Sequence, residues 1–167
     1  MDKQLADAAQ ALGDILLKLE LKLTTAESCT SGLVSMTMGS THGSADFFTT
    51  GIVTYSNSAK QRMLNVSERT LRIDSAVSEA AVREMATGAL ALSGEDVSLA
   101  ISGYAGPDGG EDGTPAGTIW FAWQLPHQQL HSTVRLIEGD CEQVIRDAAL
   151  FSLQTLTQLL QAFAATR

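Results

Sequence analysis

Cysteine is nearly missing from this chain: 167 residues carry only Cys29 and Cys141, far apart in sequence. A chain of this length buries a sizeable core without covalent staples, so the pair reads as two reduced thiols of a cytoplasmic protein. Basic residues are few as well. Eleven Lys and Arg stand against nineteen Asp and Glu, for a net charge of −8, and the eleven are scattered rather than gathered into a stripe. Such a surface repels a phosphate backbone and excludes nucleic acid as a partner, although a helix N-terminus with one or two cations still suffices for a single phosphate. Met1 to Gly13 lacks a long apolar run and carries Asp2, Lys3 and Asp7, which excludes a signal peptide or membrane span there. No Gly-x-Gly-x-x-Gly follows the first strand, and no Gly-Lys-Ser/Thr follows the later glycine-rich run, which disfavours a nicotinamide redox enzyme and a P-loop.

What is present is an ordinary globular balance, 44% apolar and 18% charged, in a length that fits one domain over residues 1–167. Leu5, Ala8, Leu12, Leu16 and Leu19 recur at helical spacing and predict a helix from Leu5 to Leu19. Lys22 to Thr25 reads as a strand, with a helix from Ser31 to Met38 after it. The β-branched run Gly51-Ile52-Val53-Thr54-Tyr55 is a second strand. Helices follow at Ser58 to Leu64 and near Glu68 to Ile73. Ser78 and Glu79 open a third, which ends at Gly94. Val97 to Ser102 is a strand, and Thr118 to Leu125 pairs with His131 to Ile137 across Pro126-His127-Gln128. Asp140 starts a closing helix that reaches Ala164. This order predicts a three-layer α/β/α sandwich on a mixed, mostly parallel sheet with an antiparallel edge.

Three segments carry groups with chemistry. Glu27-Ser28-Cys29-Thr30 lies at a strand end and a helix start, where N–H groups converge and the dipole favours negative charge. That is a place for a nucleophile, Ser28 or Cys29, although Ser28 and Thr30 also fit the commoner role of helix caps. In Tyr55-Ser56-Asn57-Ser58-Ala59-Lys60 the lysine becomes a general base if burial lowers its pKa, and is otherwise a solvated helix residue. Ser102, at a strand's C-terminal edge, leads into the glycine-rich run to Gly113, either a ligand-binding loop or a mobile surface loop. Metal binding is not expected. His127 and His131 share a face only on a helix, and Pro126 with its flanking strand patterns argues for a hairpin.

Together these segments resemble the CinA C-terminal domain family, the nicotinamide mononucleotide deamidases. The likeness rests on Thr25 to Thr30, Gly51 to Lys60, Ala76-Val77-Ser78-Glu79, Ile101 to Gly110 and Gly117-Thr118-Ile119-Trp120, in family order over nearly the whole chain. It implies cofactor-free, metal-independent hydrolysis of a small carboxamide, nicotinamide mononucleotide or a related amide. Ser28 would be the nucleophile, Lys60 its base, and Tyr55 an assisting group. Thr30, Gly32, Asn57, Ser102, Gly106 and Arg146 would bind substrate or complete the hydroxyl network. A homo-oligomer is also expected. Ser31 departs from the family's glycine, and Thr50, Thr114, Cys141 and Ile145 stand where the family pattern is basic, leaving Arg146 of that set. Each lost charge-assisted bond to phosphate costs about 1.5–3 kcal/mol, so two such losses weaken a phosphorylated substrate about a hundredfold. Two readings therefore stand: an active amidohydrolase, or a non-catalytic member that binds a small molecule or an interaction partner.

Overall fold

The computed structural model describes residues 1–167. Helix α1 (Lys3–Leu19) is followed by strand β1 (Leu23–Glu27), α2 (Leu33–Gly39), a short 3-10 turn (Ser44–Asp46) and β2 (Phe48–Val53). Three helices come next, α3 (Asn57–Leu64), α4 (Glu68–Ile73) and α5 (Glu79–Ser93). β3 (Val97–Gly103), β4 (Thr118–Leu125), β5 (Gln129–Leu136) and α6 (Cys141–Ala165) complete the chain.

The sheet order is β2-β1-β3-β4-β5. β1 pairs in parallel with both β2 and β3, whereas β3–β4 and β4–β5 are antiparallel. The sheet is thus evenly divided rather than mostly parallel. No helix separates β3 from β4, and a parallel return needs a crossover, so β4 folds back antiparallel.

Alternation along the strands sorts the two faces. Leu23, Leu99, Ile101, Phe121 and Trp123 join α1, α2 and α6 in the larger core. Ala26, Ala100 and Ala122 point the other way, and these small side chains meet Val82, Met85, Ala86 and Ala89 of α5. The result is the three-layer α/β/α sandwich. Helix ends follow their caps. The Ser78 hydroxyl accepts from the Ala81 N–H at 3.1 Å, Gly94 takes φ 75°, and the Asp140 carboxylate accepts from the Gln143 N–H at 2.9 Å. The hairpin at residues 126–128 is present, with His127 at φ 64°.

Several boundaries shift: β2 begins earlier, at Phe48, β5 begins at Gln129, and two of the shifts lie at the site. α2 starts at Leu33 rather than Ser31, because Ser31 and Gly32 both take left-handed backbone, φ 51° and 102°. β2 ends at Val53, and Thr54 and Tyr55 leave it.

Candidate active site

β1 ends between two parallel neighbours that hold its last residues in place. The Thr54 N–H donates to the Glu27 carbonyl at 2.9 Å, and the Ser28 N–H donates to the Ile101 carbonyl at 3.0 Å. Ser28 therefore stands at the C-terminal edge of the sheet, where open α/β sheets bind ligands. The turn after it is shaped by Glu27, which is fully buried. One carboxylate oxygen accepts from the Val34 N–H at 2.8 Å and the Thr30 hydroxyl at 2.7 Å. The other accepts from the Ser35 N–H at 2.9 Å and the Ser35 hydroxyl at 2.7 Å. Val34 and Ser35 lie in the first turn of α2, whose N-cap Gly32 offers no side chain, so Glu27 supplies that helix with an anionic cap from the preceding strand. In this turn the N–H groups of Thr30 and Gly32 find no acceptor within the chain.

Lys60 arrives from the next strand. After Val53 the chain turns through Thr54 and Tyr55, the Ser56 hydroxyl caps α3 by accepting from the Ala59 N–H at 3.1 Å, and Lys60 follows in the first turn. Its side chain folds back under the segment that led to it. Nζ donates to the Thr54 carbonyl at 2.8 Å, to the Tyr55 carbonyl at 3.3 Å and to Ser28 Oγ at 2.8 Å. Lys60 is 1% exposed, and burial lowers its pKa to about 8 from 10.5. The neighbouring thiol moves the other way: burial pushes Cys29 up to about 12, so it stays a thiol at neutral pH.

Ser28 and Lys60 open into a cavity of about 450 Å³. Tyr55, Asn57, Ser102 and Gly106 also line it, and Tyr55 is 71% exposed at its rim. The Ser102 hydroxyl donates to the Ala76 carbonyl at 2.7 Å and so fixes the wall that Ala76 and Val77 form. The glycine-rich loop is pinned at its base, where the Tyr104 N–H donates to the Thr118 carbonyl at 3.0 Å and the Gly117 N–H donates back to Tyr104 at 2.6 Å. Gly106, at φ 104°, occupies backbone space that favours glycine.

Three expected substrate contacts do not line this cavity. Thr30 is buried with its hydroxyl given to Glu27, and Gly32 serves as the N-cap of α2. Arg146 faces α1: Nε donates to Asp2 Oδ2 at 2.7 Å, Nη1 to Asp147 Oδ1 at 2.7 Å, and Nη2 to Gln4. Its neighbour Ile145 lines the cavity instead, because successive helical residues project about 100° apart. Of the four positions where the family pattern is basic, Cys141 and Ile145 line the cavity, and Thr50 and Thr114 do not. The sequence reading assigned no role to the Glu27 carboxylate or the Thr54 carbonyl. A lone glutamate closing a buried strand was the available signal for Glu27. A main-chain carbonyl leaves no sequence signal.

Comparison with known proteins agrees with the likeness. The model of the CinA C-terminal domain matches residues 5–160. Protein YdeJ of Escherichia coli K12 is 47% identical over 150 residues, covering 90% of this chain and 87% of its own. Nicotinamide-nucleotide amidohydrolase PncC of the same organism is 42% identical over 157 residues, covering 94% and 95%. The crystal structure of a competence damage-inducible protein A from Klebsiella pneumoniae superposes with a TM-score of 0.92 at 44% identity, covering 94% of this chain and 97% of that one. By its sequence and its fold alike, this chain belongs to the CinA C-terminal domain family.

Proposed function

We propose that the chain is an amidohydrolase that cleaves the carboxamide of a nicotinamide-type substrate, with Ser28 as nucleophile and Lys60 as its base. The observation that carries this reading is the three-way setting of Lys60 Nζ between Ser28 Oγ and two main-chain carbonyls. An ammonium spends all three donors there. Once it loses a proton, the Thr54 and Tyr55 carbonyls retain its two N–H groups, and the remaining lone pair is directed at the Ser28 hydroxyl.

The chemistry follows from that lone pair. Ser28 Oγ bonds to the amide carbon as its proton passes to Lys60, and the carbonyl electrons move onto oxygen. Cys29 lines the cavity and its N–H finds no acceptor within the chain, so it is the donor at hand for that oxyanion. Collapse breaks the C–N bond, and Lys60 returns the proton to the departing ammonia. Water then attacks the ester, gives its proton to Lys60, and releases a carboxylic acid with Ser28 regenerated. Relatives named nicotinamide-nucleotide amidohydrolase support the choice of amide. The buried, high-pKa thiol of Cys29 argues against its being the nucleophile.

The test is ammonia release from nicotinamide mononucleotide and from its riboside. Release that disappears in Ser28→Ala and in Lys60→Met supports the reading, and no release from either compound overturns it. The scarcity of cations in the cavity favours a second reading, a binder without turnover, which predicts saturable binding and no ammonia.

A further inference from the structure

We infer that the cavity selects an unphosphorylated pyridinium carboxamide, a nucleoside or simpler N-substituted nicotinamide, over its phosphorylated counterpart. The inference rests on the reading of the site as one for a nicotinamide-type amide and concerns which form of that amide fits.

Charge decides it. Of the eleven basic residues, only Lys60 lines the cavity, and each of its three ammonium donors already has a protein acceptor. No donor of that ammonium is left for a phosphate oxygen. Arg146, one residue beyond Ile145, is held by Asp2, Asp147 and Gln4.

The N-terminus of α6 is the other place where a phosphate would settle, since Cys141 begins that helix and lines the cavity. That end carries carboxylates of its own. The Asp140 carboxylate accepts from the Gln143 N–H at 2.9 Å, and Glu142 stands in the same first turn. Asp140 and Cys141 also line a smaller recess of about 310 Å³ that shares Ala105 and Gly106 with the main cavity. Asp108 adds a carboxylate to the wall of the main cavity. A dianion entering the main cavity meets Asp108, with Asp140 in the adjoining recess and no free cation among the lining residues to offset them.

The same features suit a cationic ring with a sugar. An N-substituted nicotinamide carries its positive charge on the pyridinium, which the Asp108 carboxylate of the wall attracts. Leu71, Val77, Ala105 and Ile145 offer apolar surface to the ring, while the Ser31 and Ser75 hydroxyls and the Asn57 amide offer hydrogen bonds to ribose hydroxyls.

Calorimetric titration of the Ser28→Ala protein with nicotinamide riboside and with nicotinamide mononucleotide tests this without depending on turnover. The riboside is expected to bind at least about tenfold more tightly. Cys141→Arg, in the same background, is expected to shift the ratio toward the mononucleotide by about tenfold, one charge-assisted bond's worth. Equal or tighter binding of the mononucleotide, or no binding of the riboside, overturns the inference. Ammonia release by the wild-type chain separates the two claims. Faster release from the mononucleotide sinks the selectivity and keeps the amidohydrolase. Riboside binding with no release from either compound sinks the amidohydrolase and keeps the selectivity.

Discussion

Glu27 and Ser35 meet twice on a single carboxylate oxygen: Oε2 accepts from the Ser35 N–H at 2.9 Å and from the Ser35 hydroxyl at 2.7 Å. Oε1 is used in the same way by the Val34 N–H and the Thr30 hydroxyl. Every partner of this buried side chain is a donor, and two of the four are main-chain groups that cannot turn around. Glu27→Gln is therefore not conservative, because an amide NH2 must face the N–H of either Val34 or Ser35. Leaving a donor buried and unpaired costs about 1–3 kcal/mol. The variant should unfold at lower denaturant by that amount and lose kcat, because the turn that holds Ser28 hangs from this carboxylate. Ser35→Ala removes the hydroxyl's bonds to Oε2 and to the Thr25 hydroxyl but leaves the Ser35 N–H on Oε2, and should cost less in kcat.

The pH dependence of catalysis follows from Lys60. A base works only when unprotonated, and burial brings this lysine to about 8. At pH 7 about a tenth of the molecules hold the free amine. Activity should rise about tenfold from pH 7 to a plateau above pH 9, with the inflection near 8. A pH profile of kcat/KM on the preferred amide checks this, and a flat profile between pH 6 and 9 would remove Lys60 from the role of base. Lys60→Arg keeps the charge, cannot lose it near neutrality, and should be inactive throughout.

How far the sequence revealed this site depends on the kind of information each residue carries. Ser78, Gly94 and Asp140 announce helix ends by local chemistry, and those ends lie where the pattern put them. Ser28 and Lys60 are 32 positions apart, and nothing in their spacing makes them touch. They meet because β1 and β2 are parallel neighbours in register at Glu27 and Val53, a tertiary fact that only the family likeness anticipated. Arg146 shows the opposite limit. Sequence identifies a basic residue, but rotation along α6 and the carboxylate of Asp2 decide that it faces α1. The balance of the sheet differs because β3 and β4 are joined by a loop with no crossover helix, which brings β4 back antiparallel.

Holding the same lysine in the interior makes stability fall as pH is lowered, as in acid denaturation, but in an alkaline window. Unfolded, Lys60 titrates near 10.5; folded, near 8. Between those values the unfolded chain binds the extra proton, so stability rises with pH across that window and is lowest below it. The full difference is at most about 3 kcal/mol. Lys60→Met keeps the aliphatic stem and removes the titration. The stability gap between wild type and variant should therefore move in favour of wild type from pH 7 to pH 10. Urea midpoints of both proteins at the two pH values measure it. A gap that does not change would mean that the lysine is no harder to charge in the folded protein than in the unfolded chain.

Ser31, one of six non-glycine residues at positive φ, is held at φ 51° beside Gly32 at φ 102°. Left-handed backbone costs a residue with a Cβ roughly 1–2 kcal/mol, and the exposed Ser31 side chain returns little, since its hydroxyl lies 3.5 Å from the Ser28 carbonyl. Ser31→Gly removes the steric cost, while the looser unfolded chain takes back about 0.4–1 kcal/mol. A net gain of about 0.5–1 kcal/mol is expected, visible as a higher Tm. Ser31→Val should lower Tm instead, because a β-branched residue tolerates this backbone least. The turn carries the nucleophile, so the two variants also report on catalysis. If Ser31 contacts substrate through its hydroxyl, Ser31→Gly raises KM while raising Tm. If Ser31 only completes the turn, KM stays where it was.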